Sequence, residues 1–109
     1  MGPTQPASPA SDEASAAANY RAVHVTVSGH VQGVGFRYFA RANAARAGVF
    51  GWVRNTDGGT VEIWAEGTEE RLQQFVRAIR RGPTHGEVSG VTLSWQPASG
   101  NFRSFHIRD

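Results

Sequence analysis

Gly33, Gly35 and Arg37 could together hold an anion, and all three fall in the stretch Gly29-His30-Val31-Gln32-Gly33-Val34-Gly35-Phe36-Arg37. Glycine takes positive φ at little steric cost and lets a ligand come close to the backbone. Successive backbone N–H groups in a tight loop then point inward as a nest for negative charge. Arginine adds a planar fork of donors that fits phosphate or carboxylate. The same residues can also be read as an ordinary tight turn followed by a solvated arginine. The stretch lacks the Gly-Lys-Ser/Thr ending of a P-loop and the third glycine of a dinucleotide-binding loop. A second candidate is Asn55, which follows Arg54. It reads either as a turn residue bonding its own backbone or as an amide that holds a water by donating and accepting hydrogen bonds.

These residues need elements to position them. Tyr20 to Ser28 carries Val23, Val25 and Val27 in alternation with His24, Thr26 and Ser28, the pattern of a strand with one buried face. Residues 29 to 36 form the loop, and a helix runs from Phe36 to Ala47 with Phe36, Phe39, Ala40, Ala44 and Ala47 at helical spacing. Gly48 supplies the stop. The loop therefore opens a helix, whose N-terminus adds roughly half a positive charge to the nest. Val49 to Asn55 and Thr60 to Glu66 read as two strands, joined in an antiparallel hairpin by Thr56-Asp57-Gly58-Gly59. Thr68 caps a second helix with Glu69 and Glu70 at its positive end, a stripe of Leu72, Phe75, Val76 and Ile79, and a stop at Gly82-Pro83. Val91, Leu93 and Trp95 mark a fourth strand, and Phe105 and Ile107 a fifth. The order β-α-β-β-α-β plus a short strand, with right-handed crossovers, implies an α+β ferredoxin-like sandwich: an antiparallel sheet with both helices on one face.

The composition excludes several kinds of chemistry. The 109 residues make one domain, with residues 1–20 expected to be a disordered tail rich in Pro, Ala and Ser and residues 21–109 the folded unit. With no cysteine, thiolate catalysis, disulfides and cysteine-ligated metals are out. All 11 basic residues are arginine, so no lysine is present for a Schiff base or a P-loop. The modest positive excess suits a small anionic ligand at least as well as a nucleic acid. Neither a membrane span nor a signal peptide is visible, and the expected location is cytoplasmic.

Other candidates have plainer readings. His30 sits in the loop and reads as a surface residue or an alternative base. His24, His85 and His106 have no metal-ligand spacing. Arg77, Arg80 and Arg81 compensate the dipole at the end of the second helix. Trp52, Trp64 and Trp95 pack in strands. Strand aromatics on such a sheet could also bind single-stranded RNA, but the basic-Gly-aromatic signature of that class is missing.

Taken together, Gly29-x-Val31-Gln32-Gly33-Val34-Gly35-Phe36-Arg37 and Gly51-Trp52-Val53-Arg54-Asn55 with Gly59-Thr60-Val61-Glu62 resemble the two signatures of the acylphosphatase family. The resemblance covers about residues 20 to 109. It implies that the loop Val31, Gln32, Gly33, Val34, Gly35, Phe36 and Arg37 binds phosphate and that Asn55 orients the attacking water. It also implies hydrolysis of acyl phosphates to carboxylate and inorganic phosphate by a monomer that needs no cofactor or metal, binds no nucleic acid and acts on no membrane. An arginine and an amide include no general acid or base near neutrality. An acyl phosphate suits such a pair, because its leaving carboxylate has a conjugate acid of pKa about 4 and needs no proton. A phosphate-binding regulatory module without turnover is the alternative that keeps the same loop.

Overall fold

The computed structural model describes residues 19–109; residues 1–18, where the tail is expected, lie outside the described residues. The elements are β1 (Tyr20–His30), α1 (Phe36–Ala47), β2 (Phe50–Asn55), β3 (Val61–Thr68), α2 (Glu69–Arg81), β4 (Glu87–Pro97) and β5 (Phe105–Ile107). The strands form one sheet in the order β4-β1-β3-β2-β5. β1 pairs antiparallel with β3 and β4, and β2 antiparallel with β3. β5 instead lies parallel to β2, with Gly51 beside Phe105 and Val53 beside Ile107. The sheet is therefore mixed, where sequence alone suggests a purely antiparallel one. The chain reaches β5 after β4, at the opposite edge, and its last residues then run in the same direction as β2.

Alternation decides which side is covered. Val23, Val25 and Val27 of β1, Val53 of β2 and Val61, Ile63 and Ala65 of β3 are fully buried. They meet Phe36, Ala40 and Ala44 of α1 and Leu72, Phe75 and Ile79 of α2 in one core. Each large apolar side chain buried there contributes about 1.5–3 kcal/mol. The opposite face carries His24, Glu62, Trp64, Trp52 and Arg54, and it is only partly covered. Across it Glu62 accepts hydrogen bonds from His24 and Arg54, joining β1, β3 and β2.

One charged side chain is completely enclosed. The Glu66 carboxylate accepts hydrogen bonds from Trp64 Nε1 at 2.7 Å, Ser99 N at 2.9 Å, Ser99 Oγ at 2.7 Å and Gly100 N at 3.0 Å. Burial alone would raise its pKa, but these donors outweigh that effect and hold it below the usual 4.5. The consequence is a fixed segment between β4 and β5.

Candidate active site

The directions of the elements bring the two sequence candidates to one end of the sheet. β1 and β2 both run antiparallel to β3, so they are parallel to each other and α1 returns between them. The start of α1 thus lies at the C-terminal ends of β1 and β2. Asn55 is the last residue of β2 and Arg37 the second of α1. In the register, Asn55 is opposite Val61, which is opposite Val27. Asn55 therefore stands on the helix-covered face in line with buried valines, at the rim where β1 gives way to the loop. Both Arg37 and Asn55 are half-buried.

β1 runs on to His30, two residues past the expected Ser28, with a bulge between Ser28 and Gly29. The extension exists because a Cβ at position 29 would lie 2.2 Å from the Glu87 carbonyl oxygen; only glycine lets β4 pair there. His30 is paired with Glu87 and exposed. The remaining loop, residues 31–35, turns on Gly33 and Gly35, both at φ +77°. An added Cβ at either position would meet nothing within 4 Å. Steric crowding by the protein therefore does not explain the glycines; backbone conformation does.

The two helices begin in opposite ways. At α2, the Thr68 side chain caps by accepting from Arg71 N at 3.3 Å, and Glu69 and Glu70 fill the first turn. At α1, the capping position is Gly35, which offers no side-chain acceptor, and no acidic residue occupies the first turn. Instead that turn carries Arg37, a cation at the positive end of the helix, where the dipole disfavours it by a few tenths of a kcal/mol to about 1 kcal/mol. Among the described residues Arg37 takes part in none of the ion pairs, which engage Arg21, Arg54 and His24. The first bond of the helix ladder is Phe39 N to Gly35 O at 3.0 Å, which leaves the preceding N–H groups outside that ladder. Uncapped amides and a guanidinium outside any described ion pair are donors of the kind that an anion with several oxygens can accept from.

The members of the expected loop divide by side chain. Val31 and Phe36 are 1% exposed and pack in the core, so only their backbones are available to a ligand. Val34 packs against the same core. Gln32 does something the sequence does not disclose: its Nε2 donates to Thr56 O and Thr60 O, each at 2.8 Å. Both hydrogens of the amide are used on the two ends of the β2–β3 hairpin. The loop is thereby latched to the residue that follows Asn55. A glutamine inside a glycine loop gives no hint of where its side chain goes.

The cavities described in the structure, about 240 to 440 Å³, lie between the helices and beside β5, not over the loop. A backbone nest at a helix start is shallow; it binds by directed N–H groups instead of by enclosure. Among the described residues no three His, Asp or Glu side chains come together as a metal site, and no helix is long and apolar enough to cross a membrane.

The sequence model of the family described as Acylphosphatase matches residues 23–107. A curated acylphosphatase of Bacillus velezensis is 49% identical over 84 residues, covering 77% of this chain and 93% of that protein. Among solved structures, the acylphosphatase from Bacillus subtilis superposes with a TM-score of 0.79 at 38% identity over 82% of this chain and 99% of the other. An acylphosphatase from Coxiella burnetii superposes with a TM-score of 0.77 at 34% identity, over 84% and 95% of the two chains.

Proposed function

The chain belongs to the acylphosphatase family and hydrolyses acyl phosphates to carboxylate and phosphate, and from that premise we propose how its own residues do so. The loop amides of residues 31–37 and the Arg37 guanidinium hold the phosphoryl oxygens and stabilise the charge they gain in the transition state. Asn55 accepts a hydrogen bond from water and donates one to it, placing the water oxygen in line with the phosphorus–oxygen bond to the acyl group. As the new phosphorus–oxygen bond forms, the old one breaks and the carboxylate leaves with its electron pair. The water's proton passes to a phosphoryl oxygen. No protein acid or base and no metal takes part in these steps, because the leaving carboxylate is stable as an anion.

The observation that carries this reading is the start of α1. That helix gives up a capping side chain and a first-turn acid, both of which α2 keeps, and sets an arginine there instead. The arrangement is unfavourable unless an anion completes it. That Asn55 ends β2 at the same rim as the start of α1 supports its role beside the anion.

The reading extends to a monomeric cytoplasmic enzyme acting on small-molecule acyl phosphates and releasing inorganic phosphate. The test is hydrolysis of benzoyl phosphate and of a phosphate monoester side by side, with chelator present. Cleavage of the acyl phosphate alone, undiminished by chelator, is expected. Chelator-sensitive cleavage, or equal cleavage of the monoester, would overturn the mechanism.

A further inference from the structure

The two helices meet along a groove in which the catalytic loop has no part. One cavity there, of about 240 Å³, is lined by Asn43, Arg46 and Ala47 of α1 and by Gln74, Ala78 and Arg81 of α2. A second, of about 440 Å³, shares Arg46, Ala47 and Gln74 with the first and continues past Gly48 to Glu70 and Arg71. Arg71, Gln74, Ala78 and Arg81 are three or four residues apart and so form one face of α2. That face carries an arginine at each end, about 15 Å apart along the helix. From α1, Arg46 lines both cavities and adds a third guanidinium between the two.

The arginines are held but not neutralised. Arg46 Nη1 donates to Asn43 Oδ1 at 3.4 Å, and Asn43, only 7% exposed, is itself fixed by donating to Phe39 O at 2.9 Å. Arg71 crosses from α2 to the end of α1, where its Nη1 would lie 3.4 Å from a Cβ added at Gly48. Among the described residues none of the three is in an ion pair, in contrast to Arg21 and Arg54. Dipole compensation accounts for only part of this charge. A helix end carries about half a negative charge, whereas α1 ends beside both Arg46 and Arg71 and α2 ends with both Arg80 and Arg81. Glu70 is the one carboxylate lining the groove, against three guanidinium groups. Such a surplus, spread along a space of small-molecule size, is complementary to a ligand with several anionic groups in a row.

We propose that the groove between α1 and α2 is a second anion site, which takes a small ligand bearing a chain of phosphate groups and grips it with Arg46, Arg71 and Arg81. The site is separate from the catalytic loop: Arg46 lies about 14 Å along α1 from Arg37, and none of residues 31–37 lines either cavity. A single phosphate meets the donors of one part of the groove. A chain of phosphates spans them. The inference does not depend on what the catalytic loop binds.

The test titrates inorganic tripolyphosphate, ATP and inorganic phosphate into the isotope-labelled protein, following amide signals by NMR and affinity by calorimetry. Tripolyphosphate should shift the amides of Ala47, Gly48 and Gln74, and should still do so in Arg37→Ala; inorganic phosphate should bind there at least about tenfold more weakly. Arg46→Gln, Arg71→Gln and Arg81→Gln replace exposed side chains, and circular dichroism checks that the variants fold. Each should weaken tripolyphosphate binding about three- to tenfold, Glu70→Gln should strengthen it, and salt should weaken it throughout. ATP bound as tightly as tripolyphosphate would assign the groove to the phosphate chain alone, and ATP bound more tightly would assign it to a nucleotide; either result supports the site. Shifts confined to residues 31–37, or an affinity that survives all three arginine substitutions, would overturn it.

Discussion

Replacing Gln32 by leucine should separate phosphate holding from water placement. The side chain donates two hydrogen bonds of 2.8 Å, to Thr56 O and Thr60 O. Neither carbonyl is orphaned by the change: Thr56 O still accepts from Gly59 N at 3.3 Å, and Thr60 O from Thr56 N at 3.0 Å. The loss is therefore that of two ordinary neutral hydrogen bonds, about 1–2 kcal/mol in all. For a domain of this size that lowers Tm by roughly 4–16 °C. The loop amides and Arg37 remain, so inhibition by inorganic phosphate should change less than about threefold. Turnover should fall more, on the order of 10- to 100-fold, because the hairpin end bearing Asn55 loses its tie to the loop and small misplacements are costly. The assay is steady-state hydrolysis of benzoyl phosphate with phosphate as inhibitor, alongside thermal unfolding. Unchanged kcat in a destabilised but folded variant would make the latch purely structural. Parallel loss of phosphate affinity would place the Gln32 side chain in the phosphate site.

Two other substitutions probe the loop and the enclosed carboxylate. Gly33→Ala meets open space but keeps φ at +77°, so it should cost about 1–2 kcal/mol in strain without a clash; phosphate inhibition constants should rise, and Gly33→Asn, which tolerates that region better, should be milder. If Gly33→Ala leaves both stability and phosphate affinity intact, the loop conformation is not what matters there. Glu66→Gln should lower stability at neutral pH by about 2–4 kcal/mol, since an amide cannot accept from all the donors that surround the carboxylate. The folded pKa of Glu66 lies below 4.5, so its contribution is complete above that pH and disappears as pH falls through the lower folded value. Tm measured from neutral pH down to about pH 3 should therefore converge for wild type and Glu66→Gln at the acid end. Curves that stay parallel would show that the carboxylate's charge is not the source of the effect.

Periodicity carried the fold a long way. The alternation of Val23, Val25 and Val27, the helical spacing of Phe36, Ala40 and Ala44, and the Thr68 cap each report a local preference that agrees with the structure. The direction of β5 was not legible, because three residues with one buried phenylalanine fit either orientation and the choice depends on which edge is free. The extension of β1 through Gly29 was hidden for a related reason: the glycine serves a contact with Glu87, 58 positions away in sequence. The loop glycines and Arg37 could be singled out because their chemistry is local. What Gln32 and Glu66 do depends on carbonyls and amides 24 to 34 residues distant, for which one sequence holds no signal.

The most direct test of the division of labour is to measure, in Arg37→Ala and Asn55→Ala, both the binding of inorganic phosphate and the turnover of benzoyl phosphate. Each variant should lose at least about 100-fold in kcat, as when a transition-state donor is removed. Phosphate affinity should fall in Arg37→Ala and persist in Asn55→Ala. Near wild-type turnover by either folded variant, or loss of phosphate affinity on removing Asn55 alone, would contradict the roles assigned to them.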